Sequence, residues 1–380
     1  MVTTLSPDRL AELQDEETEF ALVDTRPEDS FEAWHVSGAI HFPFGPEENL
    51  DGRLEEFERA VGDADRVLTI CAKGISSGNL ATQLESATDA YEVQAVDGGM
   101  KGWSGVYDHV EVDAGDGLTI VQIQRRAKGC FGYLIGCPAT GDAVVVDPTA
   151  DVDEYEIAAT RADLSIVGVI DTHVHADHIS GGRDLAERLS VPYYLSERAI
   201  ARGVEYEFTP LERNEVLAVG DRELKALETP GHTSEMISLL LDDRALVTAD
   251  TLHVDSTGRT ELEFSEDEGK EGARMLYEAL HRTVLAEPEG VVVLPGHVTV
   301  TADGEFAHGR PGEAITTTIR EARTGIELLD LDEDAFVDRM ADAGEKPANY
   351  EEIIEYNRGT LELAPEDRVE LELGPNNCSA

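Results

Sequence analysis

The residue types best suited to chemistry are crowded into one short segment of this sequence. THVHADH, residues 172–178, holds three histidines and an aspartate, and only Asp171 separates it from the apolar run LSIVGVI. His173 and His175 stand two apart in an extended segment, so their side chains point the same way. Asp177 and His178 follow, where ISGGRDLAERL is predicted to begin a helix. One such histidine would most simply hydrogen-bond within a loop, but this packed set predicts a metal site.

Three later segments supply further candidate ligands. Each has a polar residue after an apolar, strand-like run: His232 in TPGHTSEM, Asp250 in LVTADTLH and His297 in VVVLPGHV. Sites in open α/β sheets gather at the carboxyl ends of the strands, so we expect these residues to meet the histidine segment. Imidazole and carboxylate together suit zinc, iron or manganese.

A second candidate site lies in LTICAKGISSGNL, where Cys71 follows a predicted buried strand and precedes a predicted helix. The backbone N–H groups of such a loop, together with the helix N-terminus, stabilise an anion and so favour a thiolate. Lys73 adds a nearby positive charge. A cysteine in this position is more often a packing residue, so the assignment of chemistry to Cys71 depends on the motif around it.

The elements that must position these residues form two domains. Residues 1–107 alternate strand-like runs with amphipathic segments, which predicts a small parallel α/β sheet. Residues 108–116 are interpreted as a linker or an entry strand, and residues 117–380 as the second domain. The second domain begins with the strand-like runs LTIVQIQRR, CFGYLIG and DAVVVDP, and RVELELGP near the end predicts a closing strand.

The remaining cysteines and the basic cluster are assigned structural roles. Four cysteines in 380 residues are too few for a disulfide scaffold. We expect Cys130 and Cys137 to be core residues on opposite faces of one strand, and Cys378 to be an inert tail residue. The basic cluster Arg125, Arg126 and Lys128 is predicted to lie on a strand surface, in preference to an anion-guiding patch.

The charge of the chain is strongly negative. Asp and Glu number 79 against 30 Lys and Arg, a net charge of −49 that is spread along the chain. Such a field argues against nucleic acid and anionic membranes as partners. It suits molar salt, where the screening length falls to ~3 Å, so we predict a halophilic protein. No signal pattern or apolar run of roughly 18 residues is evident, so we expect a cytoplasmic protein, with a homodimer left open.

The first domain resembles the rhodanese (sulfurtransferase) family. The matching segments are VDTRPEDSFEAWHVSGAIHFPF (23–44), CAKGIS (71–76) and DGGMKGW (97–103). The resemblance implies a parallel α/β domain in which Cys71 carries a persulfide sulfur, cradled by the amides of residues 72–76. Lys73 and Ser76 would be further catalytic residues, which steady an anionic sulfur donor such as thiosulfate.

The second domain resembles the metallo-β-lactamase fold over residues 115–374. The pattern H-x-H-x-D-H, followed by H, D and H, is complete and in order. The resemblance implies an αββα sandwich with the metal at one edge. The seven residues of the pattern are His173, His175, Asp177, His178, His232, Asp250 and His297.

Two reactions use this pattern, and counting ligands does not separate them. In hydrolases such as glyoxalase II, the resemblance implies that all seven residues hold two zinc ions and a bridging hydroxide. In the persulfide dioxygenases, it implies that only His173, His232 and Asp250 bind one Fe(II) per chain. The other four residues would then orient the ligands by hydrogen bonds. They are His175, Asp177, His178 and His297.

Several further segments resemble the dioxygenases. These are HVHADHISGG (173–182), STGRTE (256–261), PGEAITTTIREART and EKPANYEEIIEYNRG, whereas the substrate-binding helical domain of glyoxalase II is not evident. Arg259 is the candidate for binding a substrate carboxylate, which its guanidinium fork matches. Val298 and Thr299 stand where the family often has aspartate and tyrosine, so a role for that tyrosine is not carried over.

The two resemblances together imply a fusion that makes or receives a thiol persulfide, such as glutathione persulfide, and oxidises it with O₂. Conversion of a sulfane sulfur to sulfite releases four electrons, which one O₂ accepts. No flavin or nicotinamide is needed, and we find no glycine-rich dinucleotide fingerprint. The alternatives are a dinuclear zinc thioesterase with a rhodanese accessory domain, and a non-enzymatic persulfide sensor that signals through Cys71.

Overall fold

The computed structural model describes residues 3–260, 262–264, 269–340, 346 and 349–374. The described residues contain one sheet in an N-terminal domain and two sheets in a C-terminal domain. Cys378, Glu261 and parts of the segment 345–359 lie outside the described residues. Among the helices of the described ranges, none is long and apolar enough to cross a membrane.

The N-terminal domain is a five-stranded parallel sheet of order β1-β5-β4-β2-β3, as predicted. Its strands are β1 (Thr3–Leu5), β2 (Ala21–Asp24), β3 (Ala39–His41), β4 (Arg66–Ile70) and β5 (Glu92–Val96). Its helices are α1 (Pro7–Asp15), α2 (Glu28–Ala33), α3 (Leu54–Val61), α4 (Ile75–Ala87) and α5 (Gly99–Trp103).

The apolar runs of the central strands have partners on both faces of this sheet. In β4, Leu68 packs in a cluster with Leu10 of α1, whereas its neighbour Val67 packs in a second cluster with Leu80 of α4. Successive side chains of a strand point to opposite faces, so a continuous apolar run requires helices on both sides.

The C-terminal domain contains a seven-stranded and a six-stranded sheet. The first has the order β12-β11-β10-β9-β8-β7-β6, and the second runs from β13 to β18 in sequence. The strands of the first sheet are β6 (Tyr107–Glu111), β7 (Thr119–Arg125), β8 (Cys130–Cys137), β9 (Asp142–Val146), β10 (Ser165–Ile170), β11 (Tyr193–Ser196) and β12 (Thr209–Leu211). Those of the second are β13 (Val216–Val219), β14 (Arg222–Glu228), β15 (Ile237–Leu241), β16 (Ala245–Ala249), β17 (Val292–Pro295) and β18 (Thr317–Thr318).

Helices cover the outer faces of both sheets. The helices are α6 (Asp153–Arg161), α7 (Gly182–Leu189), α8 (Gly269–Arg282), α9 (Ile319–Gly325), α10 (Glu333–Met340), α11 (Tyr350–Arg358) and α12 (Pro365–Leu371). The inner faces share one apolar cluster, in which Tyr133 of β8 and Val247 of β16 are fully or almost fully buried. Separate clusters join the first sheet to α6 and α7, and the second to α8, α9 and α10. These four layers are the predicted αββα sandwich.

Two expectations about local structure need revision. Part of the segment 108–116 is the entry strand given as the alternative to a linker, because Tyr107–Glu111 pairs antiparallel with β7. The predicted closing strand in RVELELGP is wrong, since Pro365–Leu371 is the helix α12. Proline at its first turn favours a helix start, and Leu371 packs against the cluster of Ile179 and Tyr356.

The prediction that the basic cluster lies on a strand surface is also wrong. Arg125, Arg126 and Lys128 are all buried, where a charge is tolerated only with partners. Arg126 donates to Asp15 in α1 at 2.8 Å and to Asp108 in β6 at 2.6 Å. Arg125 donates to the carbonyl of Ser104 at 2.8 Å and to Glu372 at 2.9 Å. The cluster therefore joins the two domains.

Candidate metal centre and sulfurtransferase loop

The predicted metal ligands lie at the ends of four strands. The segment 172–178 follows β10, His232 follows β14, Asp250 follows β16 and His297 follows β17. All seven predicted residues are buried, with exposures between 0% and 6%. Ala249, directly before Asp250, has a left-handed backbone at φ 43°, a strain typical of functional sites.

His173, His232 and Asp250 form the central group. Oδ2 of Asp250 lies 3.3 Å from Nε2 of His232 and 3.9 Å from Nε2 of His173. Burial, followed by the neighbouring His175, holds the pKa of His173 well below its usual value, so this imidazole is neutral. Burial opposes ionisation of Asp250, but His297 and His232 outweigh it and hold the pKa of Asp250 well below its usual range.

The hydrogen bonds of the two histidines determine which nitrogen is available. Nδ1 of His232 lies 2.6 Å from the carbonyl oxygen of Arg259, which can only accept, so Nδ1 carries the proton. The Thr172 hydroxyl donates to Asp147, so Thr172 accepts from Nδ1 of His173 at 2.9 Å. In their neutral forms, both imidazoles hold the proton on Nδ1 and leave Nε2 facing Asp250, which is the tautomer of a metal-ligating imidazole.

This group fits a metal ion. Within the described residues, Nε2 of His173, Nε2 of His232 and Oδ2 of Asp250 have no hydrogen-bond partner, although all three atoms are buried. Ligands at about 2.1 Å from one ion lie roughly 3–3.5 Å apart, which the spacing of Asp250 and His232 matches. Gly296 admits the carboxylate, because a Cβ there would overlap Oδ1 of Asp250.

The other four predicted residues have different nearest partners, although His175, Asp177 and His178 line the same small cavity as His173 and Asp250. Nε2 of His175 lies 3.3 Å from Oδ1 of Asp147. Burial opposes protonation of His175, but Asp147 outweighs it and raises the pKa of His175 to about 10. His297 lies on the far side of Asp250, with Nε2 3.5 Å from Oδ1.

Asp177 and His178 form a separate hydrogen-bonded group with Cys130. Nδ1 of His178 lies 3.1 Å from Oδ1 of Asp177, and Sγ of Cys130 donates to Oδ2 at 3.0 Å. Burial, followed by Asp177, raises the pKa of Cys130 well above its usual value, so the sulfur is a thiol. Cys130 and Cys137 are both buried as expected, and Cys130 also contacts this candidate site.

Cys71 lies at the predicted position between β4 and α4, and it is 4% exposed. Its Sγ accepts hydrogen bonds from the backbone N–H of Gly74 at 3.1 Å and from the hydroxyl of Ser77 at 3.3 Å. The hydroxyl that reaches sulfur is thus that of Ser77, whereas Ser76 is half-buried on the same turn. Gly74 has φ 84°, a left-handed backbone that glycine adopts without strain.

Lys73 points from this loop to the C-terminal domain. Its Nζ lies 2.6 Å from Oε1 of Glu370 in α12, and both side chains are about half exposed. The structure therefore pairs Lys73 with a carboxylate of the other domain, and this exposed ion pair contributes little to stability.

Comparison with known proteins identifies both domains. Residues 6–105 match the rhodanese-like domain model, and residues 125–297 match the model of the metallo-beta-lactamase superfamily. The chain joins a rhodanese-like domain to a metallo-β-lactamase domain.

Relatives of the metallo-β-lactamase domain carry two different names. The chain is 33% identical over 186 residues to a hydroxyacylglutathione hydrolase of Rhodopseudomonas palustris, covering 47% of this chain and 66% of that enzyme. It is 26% identical over 230 residues to the mitochondrial persulfide dioxygenase ETHE1 of Bos taurus, covering 60% and 82%. The crystal structure of ETHE1 from Myxococcus xanthus has a TM-score of 0.54 and 27% identity, covering 63% and 97%.

The histidine segment of the metallo-β-lactamase domain is held by residues that the sequence analysis did not single out. Nδ2 of Asn357 in α11 donates to the carbonyl oxygens of His175 at 2.9 Å and His178 at 2.8 Å. Glu235 accepts from the backbone N–H of Val174 at 2.8 Å, and Glu372 accepts from that of Ile179. Their types gave no signal, because their role depends on how distant segments fold together.

Arg259 lies beside the metal group of the metallo-β-lactamase domain. It is buried, and its backbone carbonyl orients His232. Binding of a substrate carboxylate by its guanidinium stays a prediction.

His253 was also not singled out, although it stands three residues after Asp250. Its Nε2 lies 3.6 Å from Oδ1 of Asp250, and its ring centroid lies 4.0 Å from that of His297. Burial, followed by the neighbouring His297, lowers the pKa of His253 to about 4.

Proposed function

We propose that this protein is a persulfide dioxygenase joined to a sulfurtransferase. The metallo-β-lactamase domain would convert a low-molecular-weight thiol persulfide, O₂ and water to the thiol and sulfite. The observation that carries this proposal is that His173, His232 and Asp250 bring three buried ligand atoms without hydrogen-bond partners together in one group. Two histidines and one carboxylate are the ligand set of non-haem Fe(II) oxygenases.

Fe(II), one ion at this group, would supply the redox chemistry that lets O₂ react with sulfur. The chain's own residues hold and orient its ligands: Thr172 fixes the tautomer of His173, and the carbonyl of Arg259 fixes that of His232. His175, Asp177, His178 and His297 surround the group. We propose that they orient it and exclude bulk water, and that Arg259 binds a carboxylate of the thiol.

The rhodanese-like domain would supply or receive the sulfane sulfur. The Cys71 thiolate attacks the outer sulfur of thiosulfate, an S–S bond to Cys71 forms, and sulfite leaves. A small thiolate, for example glutathione, then attacks the outer sulfur and leaves as the persulfide, which restores the Cys71 thiolate. Gly74 and Ser77 would stabilise the charged sulfur, because both donate to Sγ. The product of this domain is the substrate of the other, which supports the pairing.

Two matched variants test the assignment of the metal group. We expect His173→Gln to lower iron-dependent oxygen consumption with glutathione persulfide by roughly 100-fold or more, since a ligand is lost. His175→Gln should lower the rate by about tenfold, and so by less than His173→Gln, because outer residues tune a metal site less than ligands do. Folding of both is checked by near-UV circular dichroism. Equal loss in the two folded variants would contradict the assignment.

The second candidate function is a dinuclear zinc thioesterase, which the 33% identity to a hydroxyacylglutathione hydrolase favours. In that case zinc-loaded protein hydrolyses a hydroxyacylglutathione, and His175→Gln abolishes hydrolysis because His175 is then a ligand. The partner of His175 in this structure is Asp147, which is why we place this function second.

A further inference from the structure

The helix α12 of the C-terminal domain contacts the loop that holds Cys71. Oε1 of Glu370, in this helix, lies 2.6 Å from Nζ of Lys73 and 3.7 Å from Nζ of Lys101. Lys73 belongs to the loop itself, and the backbone N–H of Lys101 donates to the carbonyl oxygen of Ala72 at 3.1 Å. One carboxylate therefore lies between two ammonium groups that border the candidate site of sulfur transfer.

A cavity of about 610 Å³ opens between the two domains beside these lysines. Cationic side chains outnumber acidic ones in its lining, four to two. The charged lining residues are Lys73, Lys101, Arg125, Arg368, Asp151 and Glu372. An excess of positive charge is unusual in a chain with a net charge of −49, and it favours an anionic ligand in this cavity.

The rest of the lining leaves room for a small molecule. Gly98, Gly102 and Gly105 of the rhodanese-like domain contribute no side chains, and Tyr107 and Val369 add apolar surface. Cavities that bind small molecules usually measure about 300–1,000 Å³ and combine apolar walls with a few charged groups. The cavity therefore has the size and lining of a site for a compact anion.

The ion pair of Glu370 is easily exchanged for another. The side chains of Lys73 and Glu370 are 56% and 48% exposed, and a pair this exposed stabilises the fold little. Lys73, followed by Lys101, holds the pKa of Glu370 below its usual value, so this carboxylate is ionised. A carboxylate of a bound ligand has the same shape and charge, and it can replace Glu370 between the two lysines.

We infer that Lys73 and Lys101 bind a carboxylate of the acceptor thiol in this cavity, and that Glu370 occupies the same position when the thiol is absent. The ligand class is a low-molecular-weight thiol that carries a carboxylate, such as glutathione. The rhodanese resemblance assigns no role to Glu370, because α12 belongs to the other domain. The inference deepens the proposed function of the rhodanese-like domain and rests on it.

The site would serve the second half of sulfur transfer. The bound thiol loses its proton to solvent, and its thiolate attacks the outer sulfur of the Cys71 persulfide. A new S–S bond forms, the S–S bond to Cys71 breaks, and its electron pair restores the Cys71 thiolate. The thiol persulfide then leaves, and Glu370 returns to the two lysines.

Binding of S-methylglutathione tests the inference without turnover, since this analogue keeps both carboxylates of glutathione but cannot accept sulfur. Isothermal titration calorimetry on the full chain gives its Kd. We expect Lys101→Gln to raise the Kd roughly fivefold, and Glu370→Gln to lower it roughly fivefold because the competing carboxylate is lost. Lys270→Gln and Glu352→Gln, at exposed positions outside the cavity, change the net charge equally and should stay within about twofold of the wild type.

The rate of sulfur transfer supplies a second measurement. Protein with preformed Cys71 persulfide is mixed in a stopped-flow instrument with glutathione or with the uncharged thiol 2-mercaptoethanol. The ratio of the two second-order rate constants, glutathione over 2-mercaptoethanol, should fall roughly fivefold in Lys101→Gln and rise in Glu370→Gln.

An absence of S-methylglutathione binding to the wild type would overturn the inference. The same holds for an unchanged Kd in both folded variants, or for changes of the same sign. Because this binding needs neither iron nor a persulfide on Cys71, its outcome is distinct from failure of the proposed oxidation or of sulfur transfer itself.

Discussion

At the residue scale, the protein has two separate chemical centres, Cys71 and the metal group. Their residues share no contact among those described above, so the two reactions should be separable by mutation. Cys71→Ser removes the sulfur carrier while leaving the hydroxyl acceptor for Gly74 and Ser77. We expect sulfur transfer from thiosulfate to cyanide to fall by roughly 100-fold or more, because the nucleophile is lost. Oxygen consumption with supplied persulfide should change by less than about twofold.

The measurements are a thiocyanate assay and an oxygen electrode on the same preparation. Wild-type protein carried through in parallel is the control. Loss of persulfide oxidation in folded Cys71→Ser would show that the centres are not independent.

Ser77 provides a prediction that departs from the motif. Its hydroxyl donates to Sγ of Cys71, and a hydrogen bond to a charged group contributes about 1.5–3 kcal/mol. Ser77→Ala should therefore lower the rate of sulfur transfer by roughly tenfold or more, whereas Ser76→Ala should leave it within about twofold. Stopped-flow measurement of Cys71 persulfide formation checks both. A lower rate in Ser76→Ala than in Ser77→Ala would show that Ser76, as the motif implies, is the hydroxyl residue that acts on the sulfur.

The sequence located most ligand residues at this scale, since residue type and strand-end position point to His232, Asp250 and His297. It did not single out His253 or Ser77. His253 and Ser77 reach their sites because the loops fold back on themselves, as the contacts of Ser256 with His253 and of Gly74 with Cys71 show. The spacing of these residues in the chain does not predict that folding. The neighbour of His175 is likewise hard to predict, because it is Asp147, which is distant in sequence.

At the element scale, α11 and α12 act as supports for the metal loop. Asn357 of α11 bonds the carbonyls of His175 and His178 and accepts from the backbone N–H of Ser180. Asn357→Ala leaves these buried groups unsatisfied. We expect metal affinity to fall about 10–100-fold, the usual effect of removing an outer support of a metal site. Competition with a chelator measures it, with Glu352→Ala on the exposed face of α11 as the matched control.

An affinity in Asn357→Ala equal to that of Glu352→Ala would show that α11 does not position the loop.

The sequence predicted strands with continuous apolar runs well, as in β4, because burial on both faces leaves a clear pattern. It failed for α12, where the alternation ELEL is compatible with a strand. The contacts that select a helix there come from Ile179 and Tyr356, far away in the chain.

At the scale of the whole molecule, the net charge of −49 dominates the response to salt. Self-repulsion of this size destabilises the compact state, and screening relieves it. We expect the melting temperature to rise by on the order of 10 °C between low salt and molar KCl. Scanning calorimetry measures the shift, with a neutral osmolyte at equal osmolality as the control. A melting temperature that falls with KCl would contradict the prediction of a halophilic protein.

Oxygen uptake with supplied persulfide tests the proposed oxidation in the metallo-β-lactamase domain. Anaerobically iron-loaded protein receives glutathione persulfide in molar KCl, and O₂ consumed and sulfite formed are measured together. We expect about one sulfite per O₂, as four-electron oxidation of the sulfane sulfur requires, and no uptake by zinc-loaded protein. Absence of uptake by folded, iron-loaded protein, together with thioester hydrolysis by the zinc form, would contradict it.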